Sequence, residues 1–596
     1  MIAIILAAGY GNRMRPLTDN EHKTLLKING ITIIDNIIES LLANSVYNIV
    51  VVTGYRSDEL KKYLLDNYKN VNFQFVNNKD YKTTNNISSL SLAFKNININ
   101  SDIILIESDL IYDHKIIRNL IDDSNKNVAL VAKYNSGMDG TVVKIGSKNK
   151  ITEVIPPHLQ DSNFSFTDKY KTLNIYKFSG EFTNSIFSKL LNYYSEVIDD
   201  NCYYELVLGI LIYMQKEDIY SLVVDNKDWI EVDDTNDIRI AEYKFAKNQK
   251  KEVLGNAWGG YWNYDIIDFS FIRNMYFPTP SMIADVKNNI EELIWNYGSS
   301  NKIFNQKLSY YLLKDENKLC ALNGAAQIYP FIKNKYSDMN VLIPNPTFGE
   351  YEKIFNKKQY YKDDGRFNFS EISEKIDDND IIVFVNPNNP TGTFVESYKI
   401  YELIKKYPNK FFIIDESFID FSNSISISEI PQAITLNNFL IVKSMSKSHG
   451  FPGVRLGYVY SNNLDLINEI NASLPVWNYN SFAEYFLEIM LKYRNQFKIS
   501  IDKTIEDRNE FIKNMKSQNW VKNVFESSAD FILVETNKEV VNIINILLDE
   551  DSIYIRDISS KFNNGKTYFR FAVRTFKENK LMIEAISRNF EKLYNV

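Results

Sequence analysis

The chain has 596 residues, well beyond the roughly 250–300 at which a single hydrophobic core stops growing, so at least two domains are expected. Hydrophobic residues make up 45% and charged residues 24%, the balance of a soluble globular enzyme, and a net charge of −7 supplies no basic field for nucleic acid. Only two cysteines occur, Cys202 and Cys320, far apart and without metal-ligand spacing, which argues against a disulfide framework or a zinc site and for a cytoplasmic setting.

The run from Met1 to Ala8 lacks a basic flank and enters a glycine-rich turn, so it reads as a buried first strand rather than a signal peptide. No apolar run approaches the ~20 residues that cross a bilayer, and no membrane partner is expected. Short β-branched runs predict strands over residues 2–6, 48–53, 72–76, 103–107, 128–132 and 222–224, with helices over 32–43 and 57–67. That alternation predicts a mostly parallel α/β sheet. Residues 242–249 are polar and read as helical, and Gly255, Gly259 and Gly260 mark a change of domain. The expected division is a first domain over 1–240, a linker over 241–258 and a second α/β domain over 259–596, with strands at 341–343, 381–385, 411–414 and 439–442.

In the first domain, the first strand runs into Gly9 and Gly11, where a missing side chain lets backbone approach phosphate. Arg13 and Lys23 place cations near that loop. The stretch Leu6-Ala7-Ala8-Gly9-Tyr10-Gly11-Asn12-Arg13-Met14-Arg15-Pro16-Leu17-Thr18, followed by Lys23-Thr24-Leu25-Leu26-Lys27-Ile28, closely resembles the signature of sugar-phosphate and phosphocholine nucleotidyltransferases. Two residues depart from it: Asn12 stands where Ser or Thr is usual, and His22 where Pro usually precedes the lysine. The resemblance implies a Rossmann-like nucleotidyltransferase fold, Mg²⁺ held by Asp109 and by Asp233 or its neighbour Asp234, and a nucleotide bound by Leu6, Ala7, Ala8, Gly9, Gly11 and Arg13. Residues 77–90, with Asn86 and Ser89, look like the loop by which phosphocholine-type cytidylyltransferases handle base and acceptor, which implies CTP. An aminated acceptor would need an anionic or aromatic pocket, which Tyr203, Tyr204 and Glu205 offer, at least one of the tyrosines being expected in the core.

In the second domain, residues with the roles that pyridoxal 5'-phosphate (PLP) chemistry requires stand in order. Lys447, in Ser444-Met445-Ser446-Lys447-Ser448-His449-Gly450, reads as the Schiff-base lysine. Asp415, ending an apolar strand, would keep the pyridine nitrogen protonated, and Asn389 in Asn386-Pro387-Asn388-Asn389-Pro390 would donate to the ring oxygen. Ser444, Ser446, Arg455 and the backbone of Gly324, Ala325 and Ala326 would cup the phosphate, and Phe348 would stack on the ring. This order resembles fold-type I aminotransferases of the class I/II group over residues 259–596. The resemblance implies a homodimer, with Tyr297 matching the tyrosine that reaches the partner's cofactor phosphate. Within the group, histidinol-phosphate aminotransferase and threonine-phosphate decarboxylase are most similar. Tyr554-Ile555-Arg556-Asp557 and Phe569-Arg570-Phe571-Ala572-Val573-Arg574 match the anion-binding segments of the latter. Arg556 and Arg570 would bind a doubly anionic substrate, and Arg574 is either a third such group or a salt bridge. Phe418 stands where many aminotransferases have a tyrosine bonding the ring oxygen, a loss expected to raise the Schiff-base pKa.

A fusion makes chemical sense if one half supplies the other's substrate. It looks like the phosphonate-pathway fusions of a cytidylyltransferase with a 2-aminoethylphosphonate transaminase. The implied sequence is PLP-dependent amination with an amino-acid donor, then CTP-dependent formation of CMP-aminoethylphosphonate and pyrophosphate. The alternative is a phosphoserine-type decarboxylase coupled to CDP-ethanolamine formation, and a serinol-phosphate aminotransferase is a third option.

Overall fold

Six apolar residues in succession bury both faces of β1 (Ile2–Ala7), which therefore lies inside a sheet rather than at an edge. The computed structural model describes residues 1–135, 137–161, 163–537 and 543–594. These divide into two compact units, Met1–Trp258 and Gly259–Val596. In the first, β2 (Asn48–Thr53), β3 (Asn72–Asn77), β4 (Ile103–Glu107), β5 (Val128–Lys133), β6 (Val142–Ile145), β7 (Ile151–Ile155), β8 (Tyr170–Phe178) and β9 (Tyr220–Val224) join β1 in nine strands. The order is β7-β6-β8-β4-β1-β2-β3, with β5 beside β8 and β9 beside β5.

The strands β1 to β4 are parallel, and the register sets Leu6 against Glu107 and Ala7 against Thr53. The loops that follow β1, β3 and β4 thus leave from one edge, where open α/β sheets bind ligands. Beyond β4 the sheet turns antiparallel at β8, so it is mixed rather than mostly parallel. Strand β8 hides from a hydropathy reading because Lys171, Asn174 and Lys177 are all buried in it. Each polar group is satisfied inside: Lys171 Nζ pairs with Glu231 at 3.2 Å, and Lys177 Nζ donates to the Ile121 carbonyl at 3.4 Å.

Helix α1 (Ile33–Leu42) starts at Thr32, whose Oγ1 accepts from the Asp35 amide at 3.1 Å, and α2 (Ser57–Asn67) and α3 (Asn86–Asn96) follow. α4 (Glu205–Tyr213) comes later in the same unit. The helix expected over 242–249 is broken: α5 (Thr235–Lys244) ends before that stretch does, and α6 (Lys250–Ala257) starts after a turn through Asn248, whose φ is 59°. Residues 241–258 hold the end of α5 and α6.

The second unit carries a seven-stranded sheet built from β10 (Leu319–Asn323), β11 (Asn340–Asn345), β12 (Lys357–Lys362), β13 (Ile381–Val385), β14 (Phe411–Asp415), β15 (Phe439–Ser444) and β16 (Leu456–Tyr460), in the order β10-β16-β15-β14-β13-β11-β12. Only β16 runs against its neighbours, and two antiparallel steps restore the direction of β10. The ends of β10, β13, β14 and β15 therefore share one edge, with Val385 opposite Asp415 and Asp415 opposite Val442. A smaller sheet of β17 (Val521–Val524), β18 (Phe531–Thr536), β19 (Arg556–Asp557) and β20 (Thr567–Ala572) has the order β17-β18-β20-β19 and sets Arg556 opposite Arg570. Among the described residues no helix is long and apolar enough to cross a membrane.

Candidate active sites

At the loop edge of the first sheet, a cleft is lined by the β1 end and loop (Leu6, Ala7, Ala8, Gly9, Gly11), by Lys23, by Asn86 and Ser89 of α3, and by Glu107 and Asp109 after β4. Gly11 has φ 62°, and a Cβ there would come within 3.1 Å of Thr18 Cγ2, so a side chain would push the loop out of the cleft. His22 pins the loop from beneath. Its ring is buried, and burial lowers its pKa to about 4, which keeps it neutral. Nε2 then donates to the Ala7 carbonyl at 3.2 Å, while Nδ1 accepts from the Thr24 amide at 3.2 Å. The residue that departs from the family pattern thus ties the lysine segment to the end of β1.

Lys23 Nζ lies 3.2 Å from Asp109 Oδ2 and 3.1 Å from Asp233 Oδ1. Burial acts to lower its pKa, but the two carboxylates outweigh burial and raise it. A two-stranded ribbon, Leu110–Tyr112 against Trp229–Glu231, brings the aspartates together from positions far apart in sequence. Arg13 reaches the same point, with Nη2 2.9 Å from Asp233 Oδ2 and Nη1 3.4 Å from Asp139 Oδ2. Oxygens of Asp139, Glu231 and Asp233 lie within 4.8 Å of one another, and Asp109 Oδ1 is buried without a hydrogen-bond partner. Asp109 lies outside that group of three, but its orphan oxygen is of the kind a hard divalent cation takes, so the carboxylates gathered here fit one. Asp234 is spoken for: it caps α5, accepting from the amides of Asn236 and Asp237 at 2.7 and 3.1 Å.

Behind the cleft is a buried acidic wall. Asn86 Nδ2 donates to Glu107 Oε1 at 2.8 Å and reaches Glu205 Oε2 at 3.5 Å, while its Oδ1 accepts from the Tyr204 amide at 3.0 Å. Burial first, then the charges of Glu205 and Asp109, pushes the Glu107 carboxyl well above the usual carboxylate range. Burial also pushes Glu231 up to about 7, with Lys171 opposing and Asp109 and Asp233 adding. Tyr204 does not line the cleft; its ring is fully buried, 5.9 Å from Tyr176 in edge contact, because it starts the apolar face of α4. Tyr203, 43% exposed, lines the cleft instead. Tyr81 and Asn78, from the 77–90 loop singled out in the sequence, also line it, and so does Glu107, which the sequence reading missed. The signal for Glu107 was a lone charge ending the otherwise apolar run of β4.

In the second unit, α7 (Met445–Ser448) carries Lys447 directly after β15. Burial lowers the Lys447 pKa, Asp530 and Asp415 oppose it, and Arg570 and Arg455 add to it. Asp415 is held at the end of β14: Oδ2 accepts from the Tyr351 hydroxyl at 3.0 Å, and Oδ1 from the Ser417 amide at 3.0 Å. The Ser444 amide donates to Ser417 Oγ at 3.1 Å, which joins the lysine segment to the Asp415 turn. Asn389 Oδ1 accepts from Arg570 Nη1 at 2.8 Å, so a proposed ring ligand and a proposed substrate ligand touch. Arg570 is half-buried, and desolvation, with Arg556 adding, lowers it to about 10.

Gly324, with φ 76°, follows β10, and a Cβ there would lie 2.4 Å from Arg455 Nη2, so the cup for a phosphate exists only with glycine. Ser446 Oγ is buried without a partner. An amine at the end of a strand, a held carboxylate, an orphan hydroxyl and a glycine cradle beside a guanidinium fit PLP. Ala325 and Ala326 continue the cradle into the first turn of the following helix. Phe348 packs beside Tyr329 and Tyr351, ring centres 6.2 and 6.5 Å away. Tyr297 stands apart from these groups: it is 80% exposed and stacks on Trp477 at 4.8 Å. Arg574 is engaged structurally, donating to the Asp268 carbonyl and to Glu578, each at 2.8 Å. The sequence reading missed Tyr351 and Ser417.

Residues 277–586 match the family model described as aminotransferase class I and II, and residues 2–155 match that of nucleotidyl transferase. CMP-5'-(3-aminopropyl)phosphonate synthase of Streptomyces rubellomurinus is 24% identical over 98% of this chain and 94% of its own length. An L-serine phosphate decarboxylase of Campylobacter jejuni is 28% identical over 55% of this chain and 89% of its own. Among solved structures, the histidinol-phosphate aminotransferase from Clostridium acetobutylicum is 27% identical, covers 56% of this chain and 100% of that one, and has a TM-score of 0.50. With more than half its length matched, the chain belongs to the class I and II aminotransferase family, and it carries a nucleotidyl transferase domain ahead of that fold.

Proposed function

We propose that the chain is a bifunctional enzyme that forms a small aminoalkylphosphonate on its second unit and joins it to CMP on its first. The observation that carries this reading is that one polypeptide holds both the Lys23–Asp109–Asp233 centre and the Lys447–Asp415 centre. A relative whose name gives a CMP-aminoalkylphosphonate as product is similar along nearly the whole length, in support.

In the first unit, a phosphonate oxygen of the acceptor attacks the α-phosphorus of CTP, the new P–O bond forms, and the bond to pyrophosphate breaks. Lys23 and Arg13 stabilise the charge that develops on the phosphates. Asp109 and Asp233 would hold Mg²⁺, which supplies charge neutralisation on the triphosphate. The backbone from Leu6 to Gly11, with Asn86 and Ser89, would position the nucleotide. Glu107, Glu205 and Tyr203 suit an acceptor that is cationic at its far end, because an ammonium there would favour the charged form of carboxyls that burial otherwise pushes toward the neutral one.

In the second unit, Gly324, Ala325, Ala326, Ser444, Ser446 and Arg455 would hold the phosphate of PLP, and Phe348 one ring face. PLP, when bound, withdraws electrons from the substrate carbon that bears nitrogen. Asp415 would keep a proton on the pyridine nitrogen, Asn389 would donate to the ring oxygen, and Lys447 would supply the amine that attaches the cofactor. Arg556 and Arg570 bind the anionic end of the substrate, with an amino acid as donor. The exposed Tyr297–Trp477 stack suits a homodimer in which Tyr297 reaches the partner's cofactor phosphate. Similarity to a serine phosphate decarboxylase supports a second reading, decarboxylation to phosphoethanolamine followed by CDP-ethanolamine formation.

Phosphorus-31 NMR separates the two. Purified protein with CTP and Mg²⁺ is incubated in separate tubes with 2-aminoethylphosphonate, phosphoethanolamine and phosphocholine. Turnover of the phosphonate alone is expected; turnover of phosphoethanolamine alone would transfer the assignment to the decarboxylase reading.

A further inference from the structure

Asn78 follows β3 and is buried in the wall of the first unit's cleft, with its side chain held at both ends. Its Oδ1 accepts from the Asp80 amide at 3.0 Å, and its Nδ2 donates to Thr84 Oγ1 and to Ser89 Oγ, each at 3.1 Å. A backbone amide can only donate, so the oxygen of Asn78 has to face Asp80 and the nitrogen has to face the two hydroxyls. The side chain therefore has one orientation.

An amide nitrogen cannot accept, so each hydroxyl oxygen takes a hydrogen from Asn78 and keeps its own to give. Thr84 gives its hydrogen to the Asp80 carbonyl at 2.9 Å. Ser89, on α3, is only 5% exposed and lines the cleft, and no described residue accepts from its hydroxyl. The Ser89 hydrogen is thus offered to the occupant of the cleft. Sheet order decides which part of a nucleotide meets it. Asp109 follows β4 and Asn78 follows β3, and these strands lie on opposite sides of β1. A triphosphate held by the β1 loop, Lys23 and Asp109 directs its base toward the β3 side, where Tyr81 also lines the cleft, its ring backed by Tyr10 and Tyr55 at 6.4 and 6.2 Å.

We propose that Asn78 is a positioning residue that sets the choice of base by committing the Ser89 hydroxyl to donate into the cleft. A donor there matches cytosine, whose ring N3 carries no hydrogen and accepts, and opposes uracil, whose N3–H donates. This rests on the reading of the cleft as a pyrimidine nucleotide site and adds to it the group that tells one pyrimidine from the other.

Calorimetric titration of the full chain with CTP and with UTP, each with Mg²⁺, reads the effect as a ratio of affinities. The wild-type protein should bind CTP about tenfold or more tightly than UTP, because uracil would leave the Ser89 donor buried without an acceptor. In Asn78→Asp the carboxylate still accepts from the Asp80 amide but now accepts from Ser89 as well, which leaves Ser89 only a lone pair to offer the base. The ratio should then fall by about tenfold or more, with UTP gaining on CTP. A merely structural role would weaken both nucleotides alike, so a folded Asp variant with the wild-type ratio would overturn the proposal, as would equal binding of the two by the wild-type protein. Should the Asp variant fail to fold, Ser89→Ala decides: a ratio near one supports the proposal, and an unchanged ratio overturns it. Binding of neither pyrimidine nucleotide by the wild-type chain would instead remove the nucleotide reading of the cleft, whatever the variants show.

Discussion

Replacing Lys447 with alanine removes the lysine-dependent visible absorbance that PLP acquires on the protein and lowers turnover of amino substrates by about 10³-fold or more, roughly 4 kcal/mol of barrier. Lys447 is the amine carried at the edge where β14 and β15 end. Asp415, Asn389 and the Gly324 cradle remain in the variant, so PLP can still bind without a covalent link. Borohydride reduction followed by peptide mapping checks the assignment: the wild-type protein is labelled at Lys447, and the alanine variant is not labelled at all. Labelling of another lysine in the wild-type protein would move the cofactor site. Nucleotidyl transfer should continue unchanged in the variant, because the first unit has its own buried cores.

The second large effect belongs to Asp109. Asp109→Ala should lower metal-dependent pyrophosphate release from CTP by about 10³-fold or more while leaving PLP absorbance intact. The change removes one of the two carboxylates that face Lys23, together with the buried orphan oxygen that suits a cation. Lys23 keeps Asp233 at 3.1 Å, so its charge is still compensated and the unit is expected to fold. A coupled assay of pyrophosphate, run beside a PLP absorption spectrum of the same sample, reads both outcomes together. Loss of both signals would mean a folding defect, and a full rate of pyrophosphate release would exclude Asp109 from the site.

Motifs built from contiguous residues were legible in the sequence because backbone geometry, not distant packing, defines them. The glycine loop after β1, Asp415 at the end of an apolar strand, and Lys447 just after another are of this kind, and each stands at a strand end. What escaped the reading depended on partners far along the chain. Lys171 and Lys177 argue against a strand until Glu231 and backbone carbonyls are seen to neutralise them inside β8. Tyr203 and Tyr204 are neighbours with opposite fates, one lining the cleft and one in the core, and only the orientation of α4 decides between them. Asp233 and Asp234 likewise looked alike until the α5 cap claimed the second.

The most direct measurement of the link between the halves is ³¹P NMR of one tube holding the protein with PLP, phosphonoacetaldehyde, an amino-acid donor, CTP and Mg²⁺, run for the wild-type chain and for Lys447→Ala. The wild-type protein should convert the aldehyde to a CMP-phosphonate, and the variant should do so only when 2-aminoethylphosphonate is added in its place. A CMP-phosphonate formed equally well from the aldehyde by both proteins, or formed by neither even from the amine, would contradict a second unit that makes the substrate of the first.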